Sequence, residues 1–106
     1  MTAPDLIFRA LADPTRRAIF ERLCHDGEQT VRALTAQAGV SQPVVSKHLA
    51  QLKHAGLVDD RPAGRQTHYS ARVEALAPLT AWTQAMTGFW ERRFDGLEAL
   101  LNRMDQ

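Results

Sequence analysis

The chain has 106 residues, 44% of them apolar and 24% charged, with a formal net charge of +1. That balance suits an ordinary folded domain and argues against a disordered tail or a polycation, and no stretch approaches the roughly 20 apolar residues of a bilayer-spanning helix. The one cysteine, Cys24, precludes a disulfide within the chain, and the segment from Met1 to Leu11 carries Asp5 and Arg9 where a signal peptide needs an apolar centre. The expectation is a soluble, cytoplasmic protein with a single domain over residues 1–106.

The first helix is predicted from about Pro4 to Leu11, with Leu6, Ile7 and Leu11 apolar. It stops at Asp13-Pro14, where Asp13 can cap a second helix and Pro14, lacking an amide hydrogen, fits the first helical position. That second helix runs from Thr15 to His25 with Ala18, Ile19 and Leu23 at helical spacing, and Gly27 stands where a left-handed terminator is wanted. Cys24 reads as a buried filler near its end rather than a ligand.

Thr30 caps a third, shorter helix, Val31 to Ala38, with Val31 and Leu34 facing inward. A turn at Ala38-Gly39-Val40 follows, Gly39 being free to take positive φ. Ser41 is the expected cap of a fourth helix spanning 41–55, and Pro43 falls in its tolerant first turn. Val45, Leu49 and Leu52 give that helix one inward stripe, joined by Val40, and Gly56 ends it before Leu57 and Val58 return to the core. The period then changes from 3.6 to 2. Leu57 to Arg61 and Gln66 to Ala71 read as two strands around a Pro62-Ala63-Gly64-Arg65 tip, a hairpin over 57–71. From about Val73 to Met104 the pattern is helical again, and Pro78 marks either its regular start or a kink. The fold class is therefore mainly α with a small β-hairpin wing: four helices, the hairpin, and a fifth helix.

Charge is unevenly spread along this order. The first 40 residues hold equal numbers of acidic and basic groups, whereas residues 41–72 carry Lys47, Lys53, Arg61, Arg65 and Arg72 against only Asp59 and Asp60. Basicity gathered on a helix-turn-helix and its wing is the footprint of a nucleic-acid surface. A major groove about 12 Å wide admits one helix, anchored on one side and polar on the other. The outward set near the start of the fourth helix is Ser41, Gln42, Pro43, Val44, Ser46 and Lys47. Gln42 can pair with an adenine edge, Ser46 with several bases, Val44 with a thymine methyl, and Lys47 with a phosphate or a guanine. His48 is divided evenly between DNA contact and bracing the core. The wing adds Arg61, Arg65 and Gln66, with Arg65 placed to enter a minor groove or bind phosphate; His68 reads as structural. Arg16 and Arg17 are read as ion-pairing residues ahead of DNA contacts.

The runs Leu11-Ala-Asp-Pro-Thr-Arg-Arg17, Val40-Ser-Gln-Pro-Val-Val-Ser-Lys-His-Leu49, Ala55-Gly-Leu-Val58 and Gly64-Arg-Gln-Thr-His-Tyr69 resemble the ArsR family of bacterial winged helix-turn-helix repressors. The resemblance spans nearly the whole chain. It implies a homodimer on an imperfect palindrome of double-stranded DNA, with contacts from Ser41, Gln42, Ser46, Lys47 and the wing around Arg65. Many members of that family sense metals through cysteines on the third helix or His and carboxylate ligands on the last. Here the third helix reads Thr30-Val-Arg-Ala-Leu-Thr-Ala36 and the last has neither His nor Cys, so the expectation is the subgroup without a metal site and without a cofactor.

The last helix carries Leu76, Leu79, Trp82, Met86, Phe89, Trp90, Phe94, Leu97, Leu100, Leu101 and Met104, more than one core-facing stripe. So small a domain cannot bury all of them, which predicts a dimer built from the terminal helices, about 4–11 and 73–104. Its predicted contacts are Leu6, Phe8 and Leu11 with Leu79, Trp82, Met86, Phe89, Trp90 and Leu97. A pocket of Trp82, Met86 and Trp90 for a small-molecule effector is the less favoured use of the same residues. Catalysis is not expected, because no nucleophile–base pair, carboxylate pair or phosphate loop can be assembled. The remaining alternative is a winged-helix protein-interaction module, against which the polar Ser-Gln-Pro face and local positive charge both count.

Overall fold

In the computed structural model, which describes residues 2–105, helices α1 (Ala3–Ala12), α2 (Pro14–Asp26), α3 (Val31–Ala38) and α4 (Gln42–His54) precede the wing. Strand β1 (Gln29–Thr30) lies between α2 and α3; β2 (Val58–Ala63) and β3 (Gln66–Ala71) form the hairpin. A single 3₁₀ turn, Val73–Leu76, leads into α5 (Ala77–Met104).

Local chemistry sets the helix ends. Thr2 and Asp5 close a reciprocal capping box on α1, which starts at Ala3, one residue earlier than Pro4 suggested. The Asp13 carboxylate accepts the Arg16 amide at 2.9 Å, and Thr30 Oγ1 accepts the Ala33 amide at 3.1 Å, so two predicted caps act as caps. Ser41 occupies the capping position of α4 but its hydroxyl makes no capping bond, which corrects the expected role. Gly27 has positive φ (82°) but an extended ψ (−162°), so α2 ends without the expected left-handed helical residue. At the end of α4 the Gly56 amide donates to the Lys53 carbonyl and the Leu57 amide to that of Leu52, each at 2.9 Å. With Gly56 at φ 78° this is a Schellman closure, and its two apolar partners, Leu52 and Leu57, are both fully buried.

The core consists of Ile7 and Ala10 from α1, Ile19, Phe20 and Leu23 from α2, Leu34, the α4 stripe Val45, Leu49 and Leu52, and Leu57 with Val58. Two sequence readings on α2 change. Phe20, not Ala18, joins Ile19 and Leu23 inside, while Ala18 is exposed; and Cys24 is exposed, not buried. The inward sector of α2 is centred between positions 19 and 23, and one residue further along the helix turns about 100° away from it. Partial desolvation and the neighbouring Glu21 carboxylate raise the Cys24 thiol pKa, which disfavours the reactive thiolate.

The wing is a three-stranded antiparallel sheet in the order β1-β3-β2, not the two-stranded hairpin expected. Gln29 pairs with Tyr69 and Thr30 with His68, so the residues that start α3 also close the sheet. Pro62 and Ala63 are strand residues opposite Thr67 and Gln66, which leaves Gly64-Arg65 as a two-residue turn. Gly64 has φ 64° and Arg65 does not, the glycine-first pattern of a II′ hairpin. Pro62 is tolerated because β2 is an edge strand.

Pro78 lies in the first turn of α5, so the regular helix starts there and the segment before it is the 3₁₀ turn. No residue of α5 is buried. A 28-residue helix is about 42 Å long, and it gives the molecule extents of 74 × 25 × 23 Å. The radius of gyration, 19.9 Å, far exceeds the roughly 13 Å of a globule this size, because most of α5 projects beyond the core.

Candidate nucleic-acid interface

Helix α4 divides into two faces. Val45, Leu49 and Leu52 have no accessible surface, while Ser41, Gln42, Pro43, Val44, Ser46 and Lys47 are all exposed. The i, i+4, i+7 spacing of the buried trio fixes the helix about its own axis, so the polar residues between them are held outward. Val44 is the one large apolar side chain on this face, 38% exposed.

His48 is half-buried at the border of the two faces, where its Nδ1 accepts from Arg16 Nε at 3.4 Å. That bond ties the middle of α4 to the first turn of α2, and Asp13 caps the same turn. The Arg16 amide holds the Asp13 carboxyl below its usual pKa, with the His48 and Arg16 side chains adding to the effect. Arg17 donates to the Leu11 carbonyl at 2.9 Å and approaches Glu21 at 3.9 Å. Both arginines thus serve the protein's own scaffold.

On the wing, Arg65 and Gln66 are exposed at and beside the hairpin tip. Arg61 is different: its guanidinium is hydrogen-bonded to Glu28, which also meets His68 Nδ1 at 3.3 Å. The Arg61 bond is the main reason that the Glu28 carboxyl titrates below its usual range. This cluster pins the start of β1 to the hairpin, so Arg61 is engaged where the sequence left it free. Lys53 with Asp60 (3.0 Å), and Arg72 with Asp59 (3.5 Å) and Glu74 (3.1 Å), are likewise paired. Among the described residues of α2 to β3, Arg16, Arg32, Lys47 and Arg65 have no carboxylate within ion-pair distance, and of these Arg16 is held by its bond to His48. The other three belong to α3, α4 or the wing tip. Sequence reasoning had named Lys47 and Arg65 but passed over Arg32, whose charge was balanced in composition by acids that sit elsewhere in space.

The predicted pairing residues lie on α1 and α5. Phe8 meets Trp82 edge-on, with ring centroids 5.3 Å apart at 82°, which joins the two helices within one chain. Leu6, Leu11 and Leu79 are half-buried, whereas Phe8, Trp82, Met86, Phe89, Trp90 and Leu97 are 42–57% exposed. Arg93 lies 5.4 Å from the Trp90 ring and 5.9 Å from that of Phe89, covering part of this surface with its planar head. Among the described residues no three His, Cys, Asp or Glu side chains gather as a metal set, and no helix is long and apolar enough to cross a membrane.

Comparison with known proteins agrees with this geometry. Residues 11–61 match a family model described as a helix-turn-helix domain. An HTH-type transcriptional regulator of Mycobacterium tuberculosis is 48% identical over 82% of this chain and 85% of its own length. The arsenical resistance operon repressor of Escherichia coli is 42% identical, covering 95% of this chain and 84% of the repressor. A solution structure from Mycobacterium bovis, described as a homodimeric winged helix-turn-helix DNA-binding domain and a possible ArsR-family regulator, superposes with a TM-score of 0.65 at 30% identity, over 81% of this chain and 79% of that one. The chain therefore belongs to the ArsR family of winged helix-turn-helix transcriptional regulators, which are not enzymes.

Proposed function

We propose that two copies of this chain pair through α1 and α5 and present their α4 helices to successive major-groove turns of one palindromic operator. The complex blocks transcription from the promoter that contains it. The observation that carries this reading is the division of α4 into a fully buried apolar stripe and an exposed face of Gln42, Val44, Ser46 and Lys47. The exposed side of a helix so anchored is small, polar and cationic, which suits base edges and phosphates. Ser41, Pro43 and Gln66 border the contact, Arg65 reaches the flanking backbone, and His48 acts mainly through Arg16. Residues 1–106 act as one domain in this scheme, working in the cytoplasm on chromosomal DNA.

Pairing is supported by the apolar excess of α5 and by the homodimeric relative. Repression is supported by the 42%-identical relative that is named a repressor. Control by a thiol-bound metal is not part of the proposal: the chain's single cysteine, Cys24, stands on α2, and α3 carries none.

Titration of the purified protein against duplexes from its own upstream region, and against shuffled versions, tests the reading over a range of salt. Selective binding whose log affinity falls by roughly 0.9 per phosphate contacted is expected. Equal affinity for native and shuffled duplexes would refute sequence-specific regulation.

A further inference from the structure

A groove of about 380 Å³ opens between the start of α3, the start of α4 and the wing, with Arg32, Gln42, Arg65 and Thr67 among its lining residues. Its two guanidinium groups come from elements far apart in sequence, and no acidic residue lines it. The other arginines of the α2-to-wing body are engaged: Arg16 by the His48 ring, Arg17 by Glu21, Arg22 by Asp26, Arg61 by Glu28 and Arg72 by Asp59 and Glu74. Glu28, just before β1, is already engaged by Arg61 and His68 and is not free to neutralise Arg32. Two unneutralised cations on one groove repel each other, and an anion between them relieves that repulsion. Arginine forks favour phosphate in particular, since each can give two parallel N–H bonds to its oxygens. The Gln42 amide and Thr67 hydroxyl add neutral donors on the same walls.

Position decides which phosphate. The groove lies between the outward face of α4 and the wing tip, and a duplex that receives the first in its major groove and the second alongside must carry a sugar-phosphate strand across the gap. We propose that this groove clamps one backbone phosphodiester of bound duplex DNA, with Arg32 and Arg65 as its two charged jaws. The proposal rests on the DNA-binding reading above and adds α3, through Arg32, to the contact surface.

The test compares wild type, Arg32→Gln, Arg65→Gln, the double variant, Lys47→Ala and Arg22→Gln on operator and shuffled duplexes from about 50 to 200 mM salt, the range over which phosphate contacts register. Arg32→Gln and Arg65→Gln are each expected to lower the salt slope by about 0.9 and weaken both duplexes by a similar factor, roughly tenfold at 0.1 M salt, with the double variant losing about twice the slope. Arg32→Lys restores the slope. Arg22→Gln removes the same charge from a matched site and leaves it unchanged. Arg32 is exposed and has no ion-pair partner among the described residues, so its melting temperature is expected to stay at the wild-type value. An unchanged slope in Arg32→Gln, with Lys47→Ala flattened, would overturn the clamp and leave the DNA-binding reading intact. A change in the operator-to-shuffled ratio would make Arg32 a base reader and equally overturn it. No salt-dependent binding by wild type removes both proposals.

Discussion

Helices α4 and α5 handle apolar residues in opposite ways. In α4, 13 residues long, three apolar side chains are wholly buried and nearly everything else is small, polar or cationic. In α5, 28 residues long, none is buried, and Trp90, Phe94 and Met104 are 57%, 64% and 72% exposed. One narrow stripe is enough to fix a helix on the body and free its other side for a polar ligand. A helix whose apolar residues exceed what its own core can cover has a protein face still to be filled, since exposed apolar patches of this extent mark interaction sites. On the proposed reading the two helices serve two different partners, nucleic acid for α4 and a second copy for α5.

The hardest blow to this contrast falls on the α4 anchor. Leu49→Ala removes a side chain with no accessible surface, and a loss of about 2–5 kcal/mol is expected in urea unfolding. A loss below 1 kcal/mol would mean that the stripe does not hold the helix. On α5 the corresponding change is Trp90→Asp. It should leave the domain folded by circular dichroism but weaken pairing by about 2 kcal/mol or more, roughly thirtyfold in dissociation constant, as for central aromatic contacts. Sedimentation velocity reads the shift, and an unaltered dimer would move the interface elsewhere on the helix.

Smaller effects sharpen the picture of how the reading head is positioned. Thr30→Ala removes the hydroxyl that accepts the Ala33 amide, and about 1 kcal/mol of stability should go with it. Glycine at the same place should cost only a few tenths of a kcal/mol, which separates the cap from general damage. The Asp13 cap is testable by pH. Its folded pKa is depressed, chiefly by the Arg16 amide, so its contribution is present above the unfolded carboxyl pKa and disappears as pH falls through the folded value. Asp13→Asn keeps a capping oxygen but cannot titrate. Its stability should therefore fall less steeply than wild type on acidification from pH 5 to about 2, and parallel curves would deny Asp13 this role.

Much of the reading head was legible in the sequence because its determinants are local. The caps at Asp13 and Thr30, the turn at Gly39, the α4 stripe and the closure at Gly56 each depend on residues within one or two turns of helix. What stayed hidden depends on partners distant in sequence. Strand β1 is only Gln29-Thr30, too short for an alternating pattern, and exists because β3 offers it an edge. Arg61 looked like a free wing cation until the fold brought Glu28, 33 residues earlier, to its head. Arg32 showed the reverse: its charge was balanced in composition, yet the acids of the first 40 residues sit elsewhere and leave it open. The orientations of Phe20 and Cys24 were missed because three apolar positions on a short helix do not fix its rotation to within one residue.

Hydroxyl-radical footprinting of the dimer on its selected operator joins both halves of the comparison in one measurement. If α5 pairs the copies and α4 reads the groove, two equal protections should appear on one face of the duplex, with centres about 10–10.5 base pairs or a multiple of that apart. A single protected patch, or two patches on opposite faces of the helix, would contradict it.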